Sequence, residues 1–292
     1  MTGPRRSRGR RRLRRLKRAN VLAHLAGMLG RPLNALLRRH TPSPEICGLP
    51  LGLNTGATNP QNPRLVFISD IHAGPTLSWT YLDRVAQRIE ALRPHALLLG
   101  GDYLTTSARA LDGLLARLAP IPAPGGKFAV LGNHDHDFDT HALHRHFAQA
   151  GITLLVNEGA RIELGTTSIW VAGIDDYRRG RPDLARALEG RAAGEFRLLL
   201  SHNPDFVCEL APGAVDVMLS GHTHAGQICP FGTAVVSNSE FGMKYLAGLV
   251  TGGPCPVYVS RGIGTVQIAL RWAAQAEITV LEIGGDTTGF PD

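Results

Sequence analysis

The residues best suited to chemistry are histidines and aspartates in six short polar segments between positions 70 and 224. Most of these segments directly follow an apolar run. Imidazole nitrogens and carboxylate oxygens bind divalent transition metals, and this set can hold two ions while leaving one histidine for proton transfer. The pattern predicts metal-assisted hydrolysis of a phosphate ester. The segments are Asp70-Ile71-His72, Gly101-Asp102, Gly132-Asn133-His134-Asp135, Ser201-His202, Gly221-His222 and Thr223-His224.

The elements that must position these segments are predicted β-strands that end just before them. Asp70, Asp102, Asn133, His202 and His222 each follow such a strand. Because ligands of α/β sheets bind beyond the carboxyl ends of strands, we expect these side chains to line one rim. A single segment of this kind is more often a turn than a metal site, so the prediction depends on their joint occurrence in order.

Hydrophobic periodicity predicts alternating strands and helices in the first half of the chain and mostly strands in the second. This order indicates two sheets packed face to face with helices outside. The three close strands at 152–156, 162–164 and 169–172 suggest antiparallel pairing. The other predicted strands are 64–69, 96–99, 127–131, 196–200, 215–219, 234–237, 257–260 and 277–283. The predicted helices are 78–92, 108–118, 140–150 and 181–188.

Charge divides the chain into two unlike parts. Residues 1–39 contain 13 of the 31 Lys and Arg residues and no acidic residue, so residues 40–292 carry a net charge of −6. An acidic body counts against a long nucleic acid lying across it. Four cysteines without C-x-x-C spacing favour a reduced, cytoplasmic setting. No apolar run reaches 18 residues, which argues against a membrane-spanning helix.

Residues 1–39 form a basic arm with an apolar stretch. Leu22, Leu25 and Leu29 recur with helical spacing, and Pro32 should break that helix. We favour an amphipathic helix on an anionic membrane surface, which makes the protein peripherally membrane-associated. The alternatives are a targeting sequence, which implies an exported form, and a disordered tail that binds nucleic acid or nothing. Residues 40–63, rich in proline, are interpreted as a linker, and residues 64–292 as the catalytic domain.

The ordered motifs D-x-H, G-D, G-N-H-D, H and G-H-x-H resemble the calcineurin-like metallophosphoesterase superfamily from about Arg64 to about Ile283. The stretch GHTHAGQICPFG, with SHNPD before it and KYLAGL and VSRGIGT after it, is similar to the YkuE/YaeI-type phosphodiesterase branch. The resemblance implies an α/β fold, a four-layer αββα sandwich of two mixed β-sheets flanked by helices.

The resemblance also implies a role for each site residue. His134 would stay off the metals as the general acid, with Asp135 orienting it. The ligands would be Asp70, His72 and His224 for the first ion, Asn133, His202 and His222 for the second, and Asp102 as the bridge.

The chemistry of these side chains supports the implied roles. Mixed nitrogen and oxygen donors suit Mn²⁺, Fe²⁺ or Zn²⁺, and the absence of cysteine argues against a purely structural zinc site. Two adjacent cations need an anionic bridge, which Asp102 supplies. Hydroxide bridging the metals would attack phosphorus, and His134 would protonate the leaving group because a histidine pKa lies near neutral pH.

The substrate is expected to be a phosphodiester or pyrophosphate, lipid- or nucleotide-linked and similar to UDP-2,3-diacylglucosamine. The alternatives are a nuclease, a phosphomonoesterase on the same site and, least favoured, a non-catalytic scaffold. The segment 228–250 is either a hairpin over the core or an apolar lip for a lipid-like substrate. Cations that could bind phosphate are Arg178, Lys244 and Arg261, and more weakly Arg179, Arg181 and Arg271.

Overall fold

The computed structural model describes residues 42–51 and 63–283. Its strands are β1 Glu45–Leu51, β2 Arg64–Ile68, β3 Ala96–Leu99, β4 Lys127–Ala129, β5 Thr153–Leu154, β6 Glu158–Leu164, β7 Thr167–Gly173, β8 Phe196–Leu200, β9 Val217–Ser220, β10 Gly248–Val250, β11 Val257–Val259 and β12 Glu277–Ile283. Its α-helices are α1 Trp79–Ala91, α2 Ala110–Leu118, α3 Thr140–Gln149 and α4 Leu184–Ala187.

The strands form two mixed sheets of six strands each. The first sheet has the order β1-β12-β2-β3-β4-β5, and the second has the order β10-β11-β9-β8-β7-β6. Strands β2 to β5 run parallel to one another, as do β7, β8, β9 and β11. The carboxyl ends of each parallel set therefore meet at one edge of its sheet. The predicted α/β class with two mixed sheets is confirmed.

Three apolar layers hold the sandwich together. Side chains of both sheets, such as Phe67 and Leu198, share the central core. The outer face of the first sheet packs against α1, α2 and α3 through residues such as Val85 and Leu114. The outer face of the second sheet packs against α4 and a 3₁₀ helix at Pro204–Glu209. Helices therefore cover both sheets, which is the predicted αββα arrangement.

The sequence sets the start and the buried face of the helices. In α1, the Ser78 hydroxyl accepts a hydrogen bond from the Tyr81 backbone N–H, which caps the first turn. Leu82, Val85 and Ile89 recur at helical spacing and are buried. In α3, the Asp139 carboxylate caps the first turn in the same way. Both helices begin close to where the sequence predicts them.

Two predictions of local structure are wrong. Glu45–Leu51 lies within the predicted linker 40–63, but it forms strand β1, which pairs in parallel with β12. The hydrogen bonds of β1 come from β12, more than 200 residues away, and local periodicity cannot reveal such a partner. Residues 234–237 form no strand, although the sequence predicts one there.

Strand β5 also differs from its prediction. It pairs in parallel with β4 in the first sheet, so of the three strands predicted to pair antiparallel, only β6 and β7 do so. The predicted arm 1–39 lies outside the described residues. Within 42–51 and 63–283, no helix combines the length and the apolar character needed to cross a bilayer.

Candidate metal centre

The predicted ligands converge although they are far apart in sequence. All seven follow the carboxyl ends of parallel strands. Asp70 and His72 follow β2, Asp102 follows β3, Asn133 follows β4, His202 follows β8, and His222 and His224 follow β9. Two clusters within the described residues have donor geometry suited to a metal ion, and both are buried. We call Asp70, His72 and His224 the first group, and Asp102, His202 and His222 the second group.

The first group brings two imidazoles and one carboxylate together. The Nε2 atoms of His72 and His224 are 3.2 Å apart. The same His224 nitrogen lies 3.2 Å from Oδ1 of Asp70, and that oxygen lies 4.0 Å from Nε2 of His72. These donors face a common point, as the ligands of one ion must.

The second group repeats this arrangement around Asp102. Oδ2 of Asp102 lies 3.2 Å from Nε2 of His202 and 3.4 Å from Nε2 of His72. It therefore contacts a histidine of each group, which is the position of a bridging ligand. Its other oxygen accepts a hydrogen bond of 2.8 Å from the His134 backbone N–H.

The spacing of the donor atoms suits a bound metal ion. His202 Nε2 and His222 Nδ1 also lie 3.2 Å apart. Two nitrogens that ligate one ion at about 2.1 Å are about 3–3.4 Å apart, so both imidazole pairs have suitable spacing. The Asn133 Oδ1 atom is buried without a hydrogen-bond partner. A buried amide oxygen without a partner is costly unless an ion binds it.

The backbone around the ligands is strained. Asp70, His72, Asp102, His222 and His224 all have φ between 49° and 71°, the left-handed region that side chains other than glycine rarely adopt. Each such conformation costs about 1–3 kcal/mol and persists where the surrounding structure enforces it. Five of the seven predicted ligands therefore share a backbone feature that typically marks functional sites.

Two glycines allow this close approach. A Cβ atom on Gly221 would lie 2.1 Å from the Asp70 carboxylate, and one on Gly132 would lie 2.3 Å from Oδ1 of Asp102. The strand ends therefore come together only because glycine occupies these two positions. In addition, the His222 backbone N–H donates to both oxygens of Asp70, which ties the two groups together.

The electrostatics of the centre are those of closely packed charges. Burial lowers the pKa of His72 to about 3. Burial also acts to lower the pKa of His202, but the adjacent Asp102 carboxylate outweighs it and raises that pKa to about 10. Although burial disfavours their charge, the neighbouring histidines keep the pKa of Asp70 and Asp102 below the usual value. Both carboxylates are therefore ionised at neutral pH, which cation binding requires.

His134 lies beside the two groups without joining either. Its ring centroid is 5.1 Å from that of His72, and its side chain is partly exposed. Its Nδ1 atom lies 4.0 Å from Oδ2 of Asp137. This location agrees with a histidine that faces a substrate.

The predicted role of Asp135 in orienting His134 is wrong. The Asp135 carboxylate is fully buried and accepts hydrogen bonds from the backbone N–H groups of Asp102, Tyr103 and Gly132. It therefore joins the loop after β3 to the loop after β4. Burial and the charge of Asp102 raise its pKa to about 7. The family resemblance implied His134 as its partner, whereas the Asp135 side chain is buried in the protein.

The predicted phosphate-binding cations lie in different environments. Arg178 is exposed, donates to the Asn238 carbonyl and lies 3.6 Å from Asp205. Asn238 in turn donates to the His222 carbonyl at 3.4 Å, so Arg178 flanks the second group. Lys244 lies over the Tyr245 ring at 5.1 Å.

Two of the predicted cations have structural partners instead. Arg261 donates to Glu277 and to Glu45, both at 2.7 Å, so the structure pairs it with two carboxylates. Arg271 donates to backbone carbonyls, including those of Gly264 and His224, and its Nη2 lies 3.4 Å from Nδ1 of His224. Arg271 thus supports the first group from behind.

One functional pair is absent from the residues predicted from the sequence, His136 and Asp175. Nε2 of His136 lies 2.8 Å from Oδ1 of Asp175, and the Asp175 carboxylate also accepts the backbone N–H of Arg181. The pair fixes the loop that carries Arg178 against the loop that carries His134. The hydrogen bond to Asp175 raises the pKa of His136. A second histidine in the GNHDH motif was the available signal.

Comparison with known proteins agrees with this geometry. The calcineurin-like phosphoesterase profile matches residues 63–226. The chain is 30% identical to the uncharacterized metallophosphoesterase YkuE of Bacillus subtilis and 31% identical to the phosphodiesterase YaeI of Escherichia coli. Each match covers 75% of this chain, with 78% of YkuE and 82% of YaeI. The chain belongs to the calcineurin-like phosphoesterase family.

A third relative is longer than this chain. An uncharacterized metallophosphoesterase of Helicobacter pylori is 31% identical over 75% of the chain, which spans 59% of that relative's length. The predicted family and its branch are confirmed.

Proposed function

We propose that this protein is a metal-dependent phosphoric ester hydrolase that cleaves a phosphodiester or pyrophosphate bond. The proposal rests on Asp102, because one oxygen of its carboxylate contacts a histidine in each group. A carboxylate shared in this way is the bridge that two adjacent cations need. YaeI, a relative over three quarters of the chain, is itself a phosphodiesterase.

Each group would hold one divalent ion, Mn²⁺, Fe²⁺ or Zn²⁺. The first group would bind through Asp70, His72 and His224, and the second through His202, His222 and the unpartnered oxygen of Asn133, with Asp102 shared. Bound cations of this kind neutralise phosphate charge and make hydroxide available at neutral pH. The left-handed ligand backbones hold the donors in place before any ion binds.

His134 would donate the proton to the leaving oxygen. It is partly exposed, and its ring centroid lies 5.1 Å from that of His72. Its backbone N–H donates to Asp102, which holds the loop that carries it against the shared carboxylate. General acid catalysis by such a side chain contributes about 10²–10⁴-fold to a rate.

Arg178 is the side chain that we propose for phosphate binding. It is exposed, flanks the second group through Asn238, and its loop is fixed by the His136–Asp175 pair. Replacing Arg178 with Ala should raise KM about tenfold and change kcat little, because it removes binding common to the ground and transition states. Lys244, which lies within segment 228–250, is a second candidate.

The substrate is proposed to be lipid-linked or nucleotide-linked. Exposed apolar side chains in segment 228–250 favour a lipid-like portion, since a soluble ester needs no apolar surface beside the site. The basic arm 1–39 is proposed to hold the protein on an anionic membrane surface, where each Lys or Arg contributes about 1 kcal/mol.

Hydrolysis of bis(p-nitrophenyl) phosphate beside p-nitrophenyl phosphate, after loading with Mn²⁺, tests the proposal. We expect metal-dependent cleavage that favours the diester and stops with chelator. Preference for the monoester would make the protein a phosphomonoesterase. Cleavage of single-stranded DNA faster than of the small diester would favour the nuclease alternative.

A further inference from the structure

Most of the exposed large apolar side chains of the described residues lie in the part of the chain that follows His224. Eight large apolar side chains are exposed within residues 42–51 and 63–283, and six of them lie between positions 231 and 272. Phe231 is fully exposed, and Trp272 is 57% exposed. We call these six the apolar rim: Phe231, Val235, Phe241, Met243, Leu270 and Trp272.

Backbone hydrogen bonds join part of the apolar rim to the residues that follow the proposed ligand His224. Three residues after His224, the backbone of Gln227 accepts a hydrogen bond from Trp272, and Trp272 accepts one from Cys229. Val235 donates to Ile228, so the chain turns back on itself between these residues with Phe231 at the turn. The exposed Phe231, Val235 and Trp272 therefore project from one small structure that continues the first group.

The rim is held in place rather than loosely attached. The Gln227 amide donates to the Val266 and Ile268 carbonyls and accepts the Val266 N–H. Phe231 has φ of 54°, an unfavourable conformation for a side chain with no contact to compensate it. A strained, fixed and fully exposed phenylalanine indicates a partner that buries it.

The first residues that the structure describes lie beside the same rim. Strand β1 begins at the edge of the sheet where the metal ligands lie, because it runs parallel to β12 and β12 runs antiparallel to β2. The Gln275 side chain donates to the Ser43 carbonyl at 3.5 Å, three residues beyond Trp272. Residues 1–39, with 13 basic and no acidic side chains, are joined to the body here.

The charge of the rim suits an anionic surface. Residues 221–276 contain one acidic side chain, Glu240, although residues 40–292 as a whole carry a net charge of −6. Apolar aromatic side chains beside basic residues are the composition of segments that lie in the headgroup region of a bilayer.

We infer that the apolar rim docks on an anionic phospholipid bilayer, so that the metal centre opens at the membrane surface. This inference rests on the proposed membrane contact of residues 1–39 and adds a second contact from the folded body. It is independent of the chemistry of the metal centre.

Quenching of tryptophan fluorescence by brominated acyl chains tests this contact in the full chain. The protein has three tryptophans. Trp272 lies in the rim, Trp170 is buried, and Trp79 lies 41% exposed on α1 over Arg117. Vesicles of brominated phosphatidylglycerol and phosphatidylcholine should quench the wild type and the Trp79→Phe variant. The Trp272→Phe variant should bind the vesicles equally and lose most of the quenching.

Each other outcome overturns the inference. Sedimentation with the vesicles but no quenching would mean that the arm alone binds and that the rim serves another partner, such as a protein. Loss of quenching in Trp79→Phe instead would place the contact on α1. No sedimentation of the full chain would overturn both the arm and the rim as membrane contacts, while leaving the ester hydrolysis untouched.

A second variant measures the contribution of the turn. Phe231→Ser should weaken partitioning into the anionic vesicles about tenfold, because it removes a phenyl group that the bilayer would bury. Phe231→Trp should bind at least as well as the wild type, and Trp79→Ser is the matched control at an exposed aromatic outside the rim. Equal partitioning of Phe231→Ser and wild type would contradict the inference.

Discussion

The first and second groups use the same kinds of ligand, but their histidines have different partners at the ring nitrogen that faces away from the proposed ion. In the second group, Nδ1 of His202 lies 2.8 Å from the Gly100 carbonyl, which fixes the tautomer that leaves Nε2 free for a metal. In the first group, a guanidinium of Arg271 lies 3.4 Å from Nδ1 of His224. Each group also has one histidine whose outer nitrogen has no partner, Nδ1 of His72 in the first and Nε2 of His222 in the second. A carbonyl strengthens an imidazole ligand, whereas a nearby cation weakens its attraction for another cation.

Because their outer partners differ, two sites with the same donors need not bind metal equally. The donors alone would make the groups equivalent. Their outer partners predict that the second group holds its ion more tightly and that the first group is the exchangeable one. The predictions below test whether the groups are coupled and whether they are unequal.

The largest effect is expected at the residue that both groups share. Asp102→Asn keeps the size of the side chain and removes the bridging charge, so both ions should be lost. Diester hydrolysis should fall about 10⁵-fold, since two cations each stabilise the transition state by several kcal/mol. Metal analysis and rates measure this. The control is Asp83→Asn, because Asp83 is an exposed partner of Arg117; this variant should change neither the metal content nor the rate. If Asp102→Asn retained two ions, the two groups would bind their ions independently.

The next largest effect is expected at the proton donor. His134→Ala should retain both ions and lower kcat about 10²–10⁴-fold for an ester with an alkanol leaving group. The loss should be smaller for a p-nitrophenyl ester, whose leaving group needs no proton. His141→Ala, an exposed histidine of α3, is the control. Equal losses for both leaving groups would remove His134 from proton transfer.

The inequality of the groups is tested by paired ligand variants. His202→Asn and His224→Asn should each bind about one ion per chain, but the ion left in His224→Asn should bind about 10–100-fold more tightly. The reason is the Gly100 carbonyl behind His202 and the Arg271 cation behind His224. Mn²⁺ titration calorimetry measures both affinities, and equal or reversed values would contradict the comparison.

The smallest effect concerns the His136–Asp175 pair, which stands on the side of the second group. The pKa of His136 is raised above 6.5 and that of Asp175 is lowered below 3.8. The stabilisation from His136 is thus present below its unfolded pKa and lost as pH rises through its folded pKa. Asp175 contributes above its unfolded pKa and stops contributing as pH falls through its folded value. The stabilisation from the pair is therefore fully present between about pH 4 and pH 6.5, the usual values of the two groups.

His136→Gln keeps a donor and removes the titratable group. It should lower the free energy of unfolding of the metal-free protein by about 1 kcal/mol near pH 6 and by less near pH 9. Urea unfolding at both pH values measures this, with His141→Gln as the matched control. A difference that grows with pH would show that His136 is neutral in the folded protein.

Much of the architecture follows from local sequence. The apolar runs before Asp70, Asp102, His202 and His222 are short and bounded by polar turns, so they predicted buried strands with ligands at their ends. Strand β1 escaped prediction because its hydrogen bonds come from β12, at the opposite end of the chain. Residues 234–237 have the composition of a strand, but they lie next to an irregular turn that leaves Val235 exposed.

The sequence by itself determined the chemical types of the donors, their order and the glycines that permit their close approach. These are properties of single residues and of short segments, so they survive without knowledge of the fold. Only the tertiary structure decided which side chains share Asp102, that Asp135 binds backbone N–H groups instead of His134, and that Arg261 pairs with Glu277 and Glu45. Each of those contacts joins loops from different strands, so the packing of the two sheets sets it.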